Sequence, residues 1–282
     1  MNAKVSIIIP CFNDGAFVTQ AVNSALNQTY GNKEVILIDD GSDEDTKEIL
    51  KKLEPKITKL ITQQNSGAGA ARNNGITNCT GEFILNHDSD DFFDPTFCEK
   101  AVNIFQDSKV IKIVTCDLER FNKKGTIDVL KLASGSLKDF LKSNKALGSS
   151  MFLKEDWSRL GGYDESRILN GYEDWEFYIR LLKDGGISYV IPEKLFYYRI
   201  KKVSNSSQAN SRKYEILKYL YFKHSAIYIE NFELFIDHLL KRMEIAENSE
   251  RKSRKKIDFK IGQVVLFPLR KLKQIFKSNE KS

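Results

Sequence analysis

Three closely spaced carboxylates follow one apolar segment of the sequence. Asp88, Asp90 and Asp91 come directly after Glu82–Asn86, which has the composition of a buried strand. Carboxylates this close repel one another, and a bound cation is a physical reason to gather them. Mg²⁺ and Mn²⁺ are held in this way, by one or two carboxylates together with phosphate oxygens. A turn in which Asp91 or Asp94 caps the next helix explains the pattern equally well.

The segment Asn65–Asn73 combines glycines with an arginine. Glycine lets the backbone approach a ligand closely, and a helix N-terminus together with Arg72 would bind phosphate. The spacing matches neither the Walker loop nor the GxGxxG fingerprint. Taken alone, the segment is more typical of an ordinary flexible loop with an exposed arginine.

Two further acidic segments have a chemical and a structural interpretation. In Asp39–Asp43, a carboxylate at a strand end can accept hydrogen bonds from a base or ribose, but a turn before a helix cap also accounts for it. Asp174 is expected in the first turn of a helix, where the dipole favours the ionised form, and an ionised carboxylate in a cleft can act as a general base. Acids are common in first helical turns, so this segment alone favours the structural interpretation.

Short β-branched runs alternate with amphipathic stretches over the first 120 residues. This alternation predicts an α/β layer with a mostly parallel sheet. Right-handed crossovers bring the carboxyl ends of such strands to one edge, so the Asp-, Asn- and Gly-rich ends of four strands should meet there. The predicted strands are Lys4–Pro10, Lys33–Asp39, Lys56–Thr62, Glu82–Asn86 and Lys109–Cys116, and the predicted helices are Ala16–Leu26, Glu44–Leu53, Gly69–Asn78 and Thr96–Gln106.

The rest of the chain is less regular. Residues 123–148 are polar and weakly patterned, which predicts a connector with a short helix near Leu137–Lys142. An apolar segment at Ser150–Leu153, a helix near Tyr172–Lys183 and a strand near Ser188–Tyr198 follow, and residues 212–248 have a helical pattern.

Charge is distributed unevenly along the sequence. Residues 251–282 hold 11 Lys and Arg against 2 Asp and Glu, a net charge of +9, and the remaining residues hold 33 against 36, a net charge of −3. A slightly acidic body argues against nucleic-acid binding.

The four cysteines lack CxxC spacing, which disfavours a zinc site or a disulfide framework and fits a reducing cytoplasm. The apolar runs are too short to span a bilayer, and Val5–Ile9 does not have the pattern of a signal peptide.

The basic tail has an amphipathic pattern interrupted at Pro268. A segment of this kind can lie in a membrane interface without spanning it, and anionic lipids attract it. The alternative is a helix packed on the body with a solvated charged face. We therefore predict a cytoplasmic protein that binds the anionic inner face of the cell membrane peripherally through residues 251–282.

The ordered set of motifs resembles glycosyltransferase family 2, the inverting enzymes of the GT-A fold. Each motif is modest alone, but their order is specific, and the resemblance runs from about Val5 to about Ser206. It rests on Val5–Asn13, Ser24–Tyr30, Ile38–Ser42, Gly69–Asn73, Asp88–Asp91, Gly161–Asp164 and Glu173–Asp174.

The resemblance implies a role for each matching residue. Asp174 would be the catalytic base, with Glu173 beside it in the acceptor site. Asp90, with Asp88 and Asp91, would hold a divalent metal, Mn²⁺ or Mg²⁺. One departure concerns this metal, because the stretch Tyr198–Lys202 lacks the His that relatives often carry there, which leaves fewer protein ligands or a Lys201 that contacts phosphate. The residues expected to bind the donor are Pro10, Phe12, Asn13, Asp40, Arg72, Asp88 and Arg199.

The predicted function follows from the same resemblance. A GT-A domain over 1–208, with a helical extension over 209–250 and the tail over 251–282, would transfer a sugar from a nucleotide-sugar, in particular a UDP-sugar. The acceptor would be a hydroxyl of a saccharide or lipid-linked molecule, in cell-surface polysaccharide or glycolipid synthesis. One alternative is a nucleotidyltransferase, although its Gly-rich loop would follow the first strand, where Pro10–Asp14 stands here. Another is a non-catalytic binding subunit of a polysaccharide-assembly complex.

Overall fold

The computed structural model describes residues 3–201, 209 and 211–255. The chain divides into two units, residues 1–230 and residues 231–282. Within the described residues, the first unit contains one mixed sheet flanked by helices, and the second contains a single long helix.

Ten strands of the first unit, among the residues described, belong to the same sheet. They are β1 (Val5–Cys11), β2 (Lys33–Asp39), β3 (Lys59–Thr62), β4 (Phe83–Asn86), β5 (Phe92–Phe93), β6 (Ile111–Asn122), β7 (Gly125–Leu130), β8 (Gly135–Ser136), β9 (Met151–Leu153) and β10 (Ile187–Arg199). Their order is β3-β2-β1-β4-β9-β6-β10-β5, with β7 paired to β6 and β8 paired to β10.

The first four strands are parallel. β1 lies between β2 and β4, with Cys11 opposite Asp39 and Ile8 opposite Asn86, and β3 pairs with the outer side of β2. The central residues of β1, β2 and β4 are buried, as expected for strands covered on both faces, whereas β3 at the edge is partly exposed. The prediction that four polar strand ends meet at one edge of the sheet is therefore confirmed.

The other half of the sheet adds antiparallel pairs. β9 pairs antiparallel with both β4 and β6, and β5 pairs antiparallel with β10, while β6 and β10 run parallel. The predicted connector over 123–148 contains the short helix that was expected. It also forms β7 and β8, which the sequence pattern does not predict because β7 is largely solvent-exposed and lacks a strong apolar alternation.

The helices of the first half begin and end within one residue of the predicted positions. The third strand starts three residues later than predicted, because Pro55 lies in a short 3₁₀ helix at Glu54–Lys56. The helices are α1 (Gly15–Leu26), α2 (Glu44–Leu53), α3 (Ala68–Thr77), α4 (Phe97–Asp107), α5 (Leu137–Phe140), α6 (Lys154–Arg159), α7 (Glu173–Leu182), α8 (Lys213–Lys223), α9 (Ser225–Glu230) and α10 (Phe232–Lys255).

Helix α3 packs unusually closely on the sheet. A Cβ at Gly75 would lie 2.7 Å from side-chain atoms of both Ile8 in β1 and Ile38 in β2. The glycine thus allows α3 to lie directly against these strands. This close packing fixes the start of α3, which carries Arg72, above the polar strand ends.

A buried carboxylate attaches α8 to α7. Glu176 is fully buried and accepts hydrogen bonds from Arg180, Lys223 and His224. Burial alone would raise its pKa, but these donors lower it to about 2. The pair Glu176–Arg180 has the i,i+4 spacing of an ordinary helix-surface pair but is part of a buried network.

The cysteines, the basic tail and the length of the helices can be compared with the sequence-based predictions. The four cysteines are buried and unpaired. Helix α10 includes Arg251–Lys255, and the remainder of the predicted tail lies outside the described residues. None of the helices described here combines the length and the apolar character needed to cross a membrane.

Candidate active site

The loops after β1 and β2 hold each other in place. Asn13 adopts a left-handed backbone conformation, with φ of 56°. Its N–H donates to the Ser42 hydroxyl at 3.1 Å, and its side-chain oxygen accepts from the Asp43 N–H at 2.8 Å. The predicted donor residues Pro10, Phe12 and Asn13 therefore lie at the polar sheet edge, and the Phe12 ring is 49% exposed there.

Asp40 organises the glycine-rich loop. Its carboxylate accepts hydrogen bonds from the N–H groups of Ser66 and Gly67 and from the side-chain amide of Gln63, at 2.8 to 2.9 Å. Gly67 has φ of 92°, a conformation that favours glycine. The residue expected to contact the base is thus also the anchor of the loop that precedes α3.

Arg72 joins two distant carboxylates. The side chain is 5% exposed, and its two terminal nitrogens lie 2.8 Å from Asp88 Oδ1 and 2.5 Å from Glu173 Oε1. The guanidinium also lies over the Tyr163 ring, 5.8 Å from its centre. Arg72 was predicted to bind the donor. The structure shows that it links the end of β4 to the start of α7.

The three carboxylates after β4 have different surroundings. Asp88 is 33% exposed and pairs with Arg72, and Asp90 is 20% exposed and pairs with Lys201. Asp91 is buried, accepts the Arg199 N–H at 2.7 Å, and has a second oxygen without a hydrogen-bond partner in the described part of the chain. Burial, followed by the charges of Asp90 and Asp88, raises the pKa of Asp91 well above its usual range. Asp91 therefore lies beneath the surface that Asp88 and Asp90 present.

Arg199 fixes the shape of the acidic segment. Its guanidinium lies 4.6 Å from the centres of the Phe17 and Phe121 rings. It donates to the Asp90 carbonyl oxygen at 2.8 Å and to the Gln20 side chain at 2.5 Å. Arg199 was predicted to bind the donor, and these contacts give it a positioning role for Asp90.

The acidic segment offers few ligands for a metal ion. Within residues 3–201, 209 and 211–255, no group of three or more His, Cys, Asp or Glu side chains is arranged to hold one. The Lys201 ammonium lies 2.7 Å from Asp90 and 2.8 Å from Asp14, so a cationic group already stands beside Asp90. An ion held by Asp90, with or without Asp88, and by donor phosphates fits these residues, because Mg²⁺-type sites often use only one or two carboxylates. The metal remains a prediction.

The start of α7 carries the candidate base. The Asp174 carboxylate accepts a hydrogen bond from Asn144 Nδ2 at 2.8 Å. Burial, followed by the charge of the neighbouring Glu173, raises the pKa of Asp174 to about 7. A carboxyl with this pKa can accept a proton near neutral pH. Glu173 is itself held by Arg72 and by the Gly171 N–H at 2.6 Å.

Two residues of this site were not predicted from the sequence. Asn144 lies in the weakly patterned segment, and Asp14 accepts from both Lys201 and the Ser89 hydroxyl at 2.8 Å. Asp14 follows β1 directly, so its position at a polar strand end was a signal that could have identified it. Asn144 carries no such signal, because only the folded chain brings it to α7.

Two family models together match most of the chain. A family model described as Glycosyl transferase family 2 matches residues 6–153, and one described as Glycosyltransferase like family 2 matches residues 117–243. The chain is 30% identical over 229 residues to the chondroitin synthase of Escherichia coli, covering 78% of this chain and only 32% of that protein. It is 30% identical over 215 residues to an uncharacterized glycosyltransferase of Haemophilus influenzae, covering 72% of this chain and 82% of the relative.

Solved structures share the fold at low sequence identity. S. aureus TarS 1–349 in complex with UDP-GlcNAc has a TM-score of 0.68 at 17% identity, covering 91% of this chain and 77% of that one. The mannosyltransferase PcManGT from Pyrobaculum calidifontis, in complex with GDP-Man and Mn²⁺, has a TM-score of 0.58 at 13% identity, covering 93% and 83%. The GT-A fold predicted from the sequence is confirmed.

The ion pairs of Arg72 with Asp88 and Glu173 should stabilise the folded protein. Arg72→Met leaves the buried Glu173 carboxylate without its cation, so the free energy of unfolding should fall by about 3–5 kcal/mol. Arg212→Met is the control, because this 51% exposed arginine pairs with the 56% exposed Glu215, and a surface pair of this kind is worth about 0–1 kcal/mol. Urea denaturation of both variants measures the difference, and equal stabilities would show that the bridge is not a structural requirement.

Proposed function

Since the chain belongs to glycosyltransferase family 2, we propose that it transfers a sugar from a UDP-sugar to an acceptor hydroxyl and inverts the anomeric centre. The family establishes a nucleotide-sugar glycosyltransferase. The TarS neighbour, whose structures contain UDP-GlcNAc and UDP, supports UDP as the nucleotide. The family match also favours this activity over a nucleotidyltransferase. Retention of both the acidic segment and Asp174 favours an enzyme over a non-catalytic subunit.

The proposal rests on the contacts that connect Asp174 with the acidic segment. Asp174, with its pKa near 7, is next in sequence to Glu173, and Glu173 shares the Arg72 guanidinium with Asp88. A candidate base is thereby tied to the acidic segment on which the donor diphosphate is expected. A single displacement needs a base for the acceptor close to the leaving group, and this link between Asp174 and the acidic segment supports such a role.

The residues of the site have separate roles in that displacement. Ionised Asp174 removes the proton of the acceptor hydroxyl as its oxygen attacks the anomeric carbon from the face opposite the diphosphate. Asn144 holds the Asp174 carboxylate through its Nδ2–H, and Glu173 is held in place by Arg72. A divalent ion held by Asp90, and by Asp88 where it reaches, would supply positive charge to the departing diphosphate. One displacement converts an α-linked donor into a β-linked product.

The acceptor and the cellular site belong to the same proposal. Similarity to a chondroitin synthase supports a saccharide acceptor and a role in polysaccharide synthesis, although the match spans 32% of that protein. A lipid-linked acceptor would suit an enzyme at the inner face of the cell membrane. Residues 251–282, with their charge of +9, are the proposed contact with anionic lipid.

Release of nucleotide from a donor panel tests the activity. With Mn²⁺ present, we expect UDP release from one or more UDP-sugars and none from GDP-mannose. Asp174→Asn preserves the shape of the base and should lower the rate by about a hundredfold to ten-thousandfold. Asp184→Asn, at an exposed carboxylate that pairs only with Arg159 among the described contacts, is the matched control. Release from GDP-mannose alone would contradict the nucleotide assignment, and a fully active Asp174→Asn variant would exclude the base.

The pH dependence tests the base independently. Below pH 7 the Asp174 carboxyl holds its proton and cannot accept another, so kcat/KM should rise about tenfold per pH unit there and level off above. A hydrogen bond to the ionised form lowers a pKa, so Asn144→Leu should move the midpoint upward by about one pH unit. Asn103→Leu, on the exposed face of α4, should leave the midpoint in place. A wild-type midpoint near pH 4, or one that Asn144→Leu does not move, would contradict this assignment.

A further inference from the structure

Lys201 places a tethered cation in the acidic segment. Its Nζ lies 2.7 Å from Asp90 Oδ2 and 2.8 Å from Asp14 Oδ1, and the side chain is 22% exposed. The Ser89 hydroxyl donates to the other Asp14 oxygen at 2.8 Å. The ammonium also lies 5.4 Å from the centre of the Phe17 ring, which favours a positive charge at this point. The ammonium is therefore held from several sides, at the carboxylate most suited to a metal.

The positively charged side chains of the site already have partners within the protein, so little positive charge remains to neutralise a bound diphosphate. Among the described residues of the site, Arg72 and Lys201 are each paired with two carboxylates. The Arg199 guanidinium is held instead by the Asp90 carbonyl oxygen, a glutamine side chain and two aromatic rings. A bound nucleotide-sugar adds two negative phosphates to this edge. A further cation is therefore needed when the donor binds, and its natural place is the carboxylate of Asp90.

Lysine and a divalent ion cannot share that carboxylate without cost. Both are cations, and repulsion at a separation of a few ångströms is strong in a partly buried site. Lysine is a compact charge on a flexible stem and can move, whereas Arg199 is fixed by two rings and by the Asp90 carbonyl oxygen. The difference between the two side chains suits Lys201 to a movable role and Arg199 to a fixed one.

We propose that Lys201 is an internal counter-ion that occupies the cation position at Asp90 in the donor-free protein and keeps divalent ions out until the donor arrives. The donor's phosphates then contribute ligands to the incoming ion and a new partner for the ammonium. Metal and donor would thus bind together, each strengthening the other. The inference rests on the proposed nucleotide-sugar donor. It adds that the divalent ion enters the site only together with that donor.

Titration with Mn²⁺ alone, without any nucleotide, tests this inference. Lys201→Gln keeps a hydrogen-bond donor but removes the charge, and should bind Mn²⁺ about tenfold or more tightly than the wild type. Lys201→Arg keeps the charge and should match the wild type. Electron paramagnetic resonance of free Mn²⁺ gives the affinities, and thermal unfolding shows that each variant is folded.

A second substitution locates the ion. Adding Asp90→Asn to Lys201→Gln should remove the gain in affinity. The inference is overturned if Lys201→Gln binds Mn²⁺ no better than the wild type, if neither protein binds it, or if the gain survives Asp90→Asn. Release of UDP from UDP-sugars is measured separately, so an active enzyme with unchanged Mn²⁺ affinity refutes the role of Lys201 while leaving the transferase function intact.

Discussion

The Arg72 guanidinium is the constraint around which the site is built. A buried cation is costly unless carboxylates pair with it, and Asp88 and Glu173 supply this pairing from two segments that are far apart in the sequence. To place Arg72 between them, α3 must start above the sheet edge, which the Asp40 contacts to Ser66 and Gly67 and the close packing at Gly75 achieve. The same bridge then fixes the distance between the acidic segment and the start of α7.

Asp174 differs from the other acids of the site in its partners. Asp88 and Glu173 face Arg72, and Asp90 faces Lys201, so each of these three carboxylates has a cationic partner. Among the described residues, Asp174 makes a hydrogen bond with Asn144 but no ion pair. Burial and the nearby Glu173 charge therefore raise its pKa, and the carboxyl becomes a base in the neutral range. Asp91 also lacks an ion pair within the described part of the chain, but it is fully buried, whereas Asp174 is partly exposed and can therefore act as a general base.

The sequence predicted the features that depend on local pattern. The first four strands, the helices between them, and the meeting of their polar ends follow from short-range periodicity and from the geometry of parallel sheets. It did not predict contacts between distant segments. Arg72 and Glu173 are 101 residues apart, and Asp14 and Lys201 are 187 apart. Such pairs depend on the order of the strands across the sheet, which no local pattern contains, so Arg72 and Arg199 were expected to bind the donor while the structure gives them carboxylate and backbone partners.

A single displacement driven by Asp174 inverts the anomeric centre, so the anomeric configuration of the product is the decisive measurement. The sugar first released into water from an active α-linked UDP-sugar can be followed by proton NMR before its anomers equilibrate. We expect the β anomer to appear first, because water attacks from the face opposite the diphosphate. Initial formation of the α anomer would contradict a single displacement, since retention requires a different mechanism and a different role for Asp174.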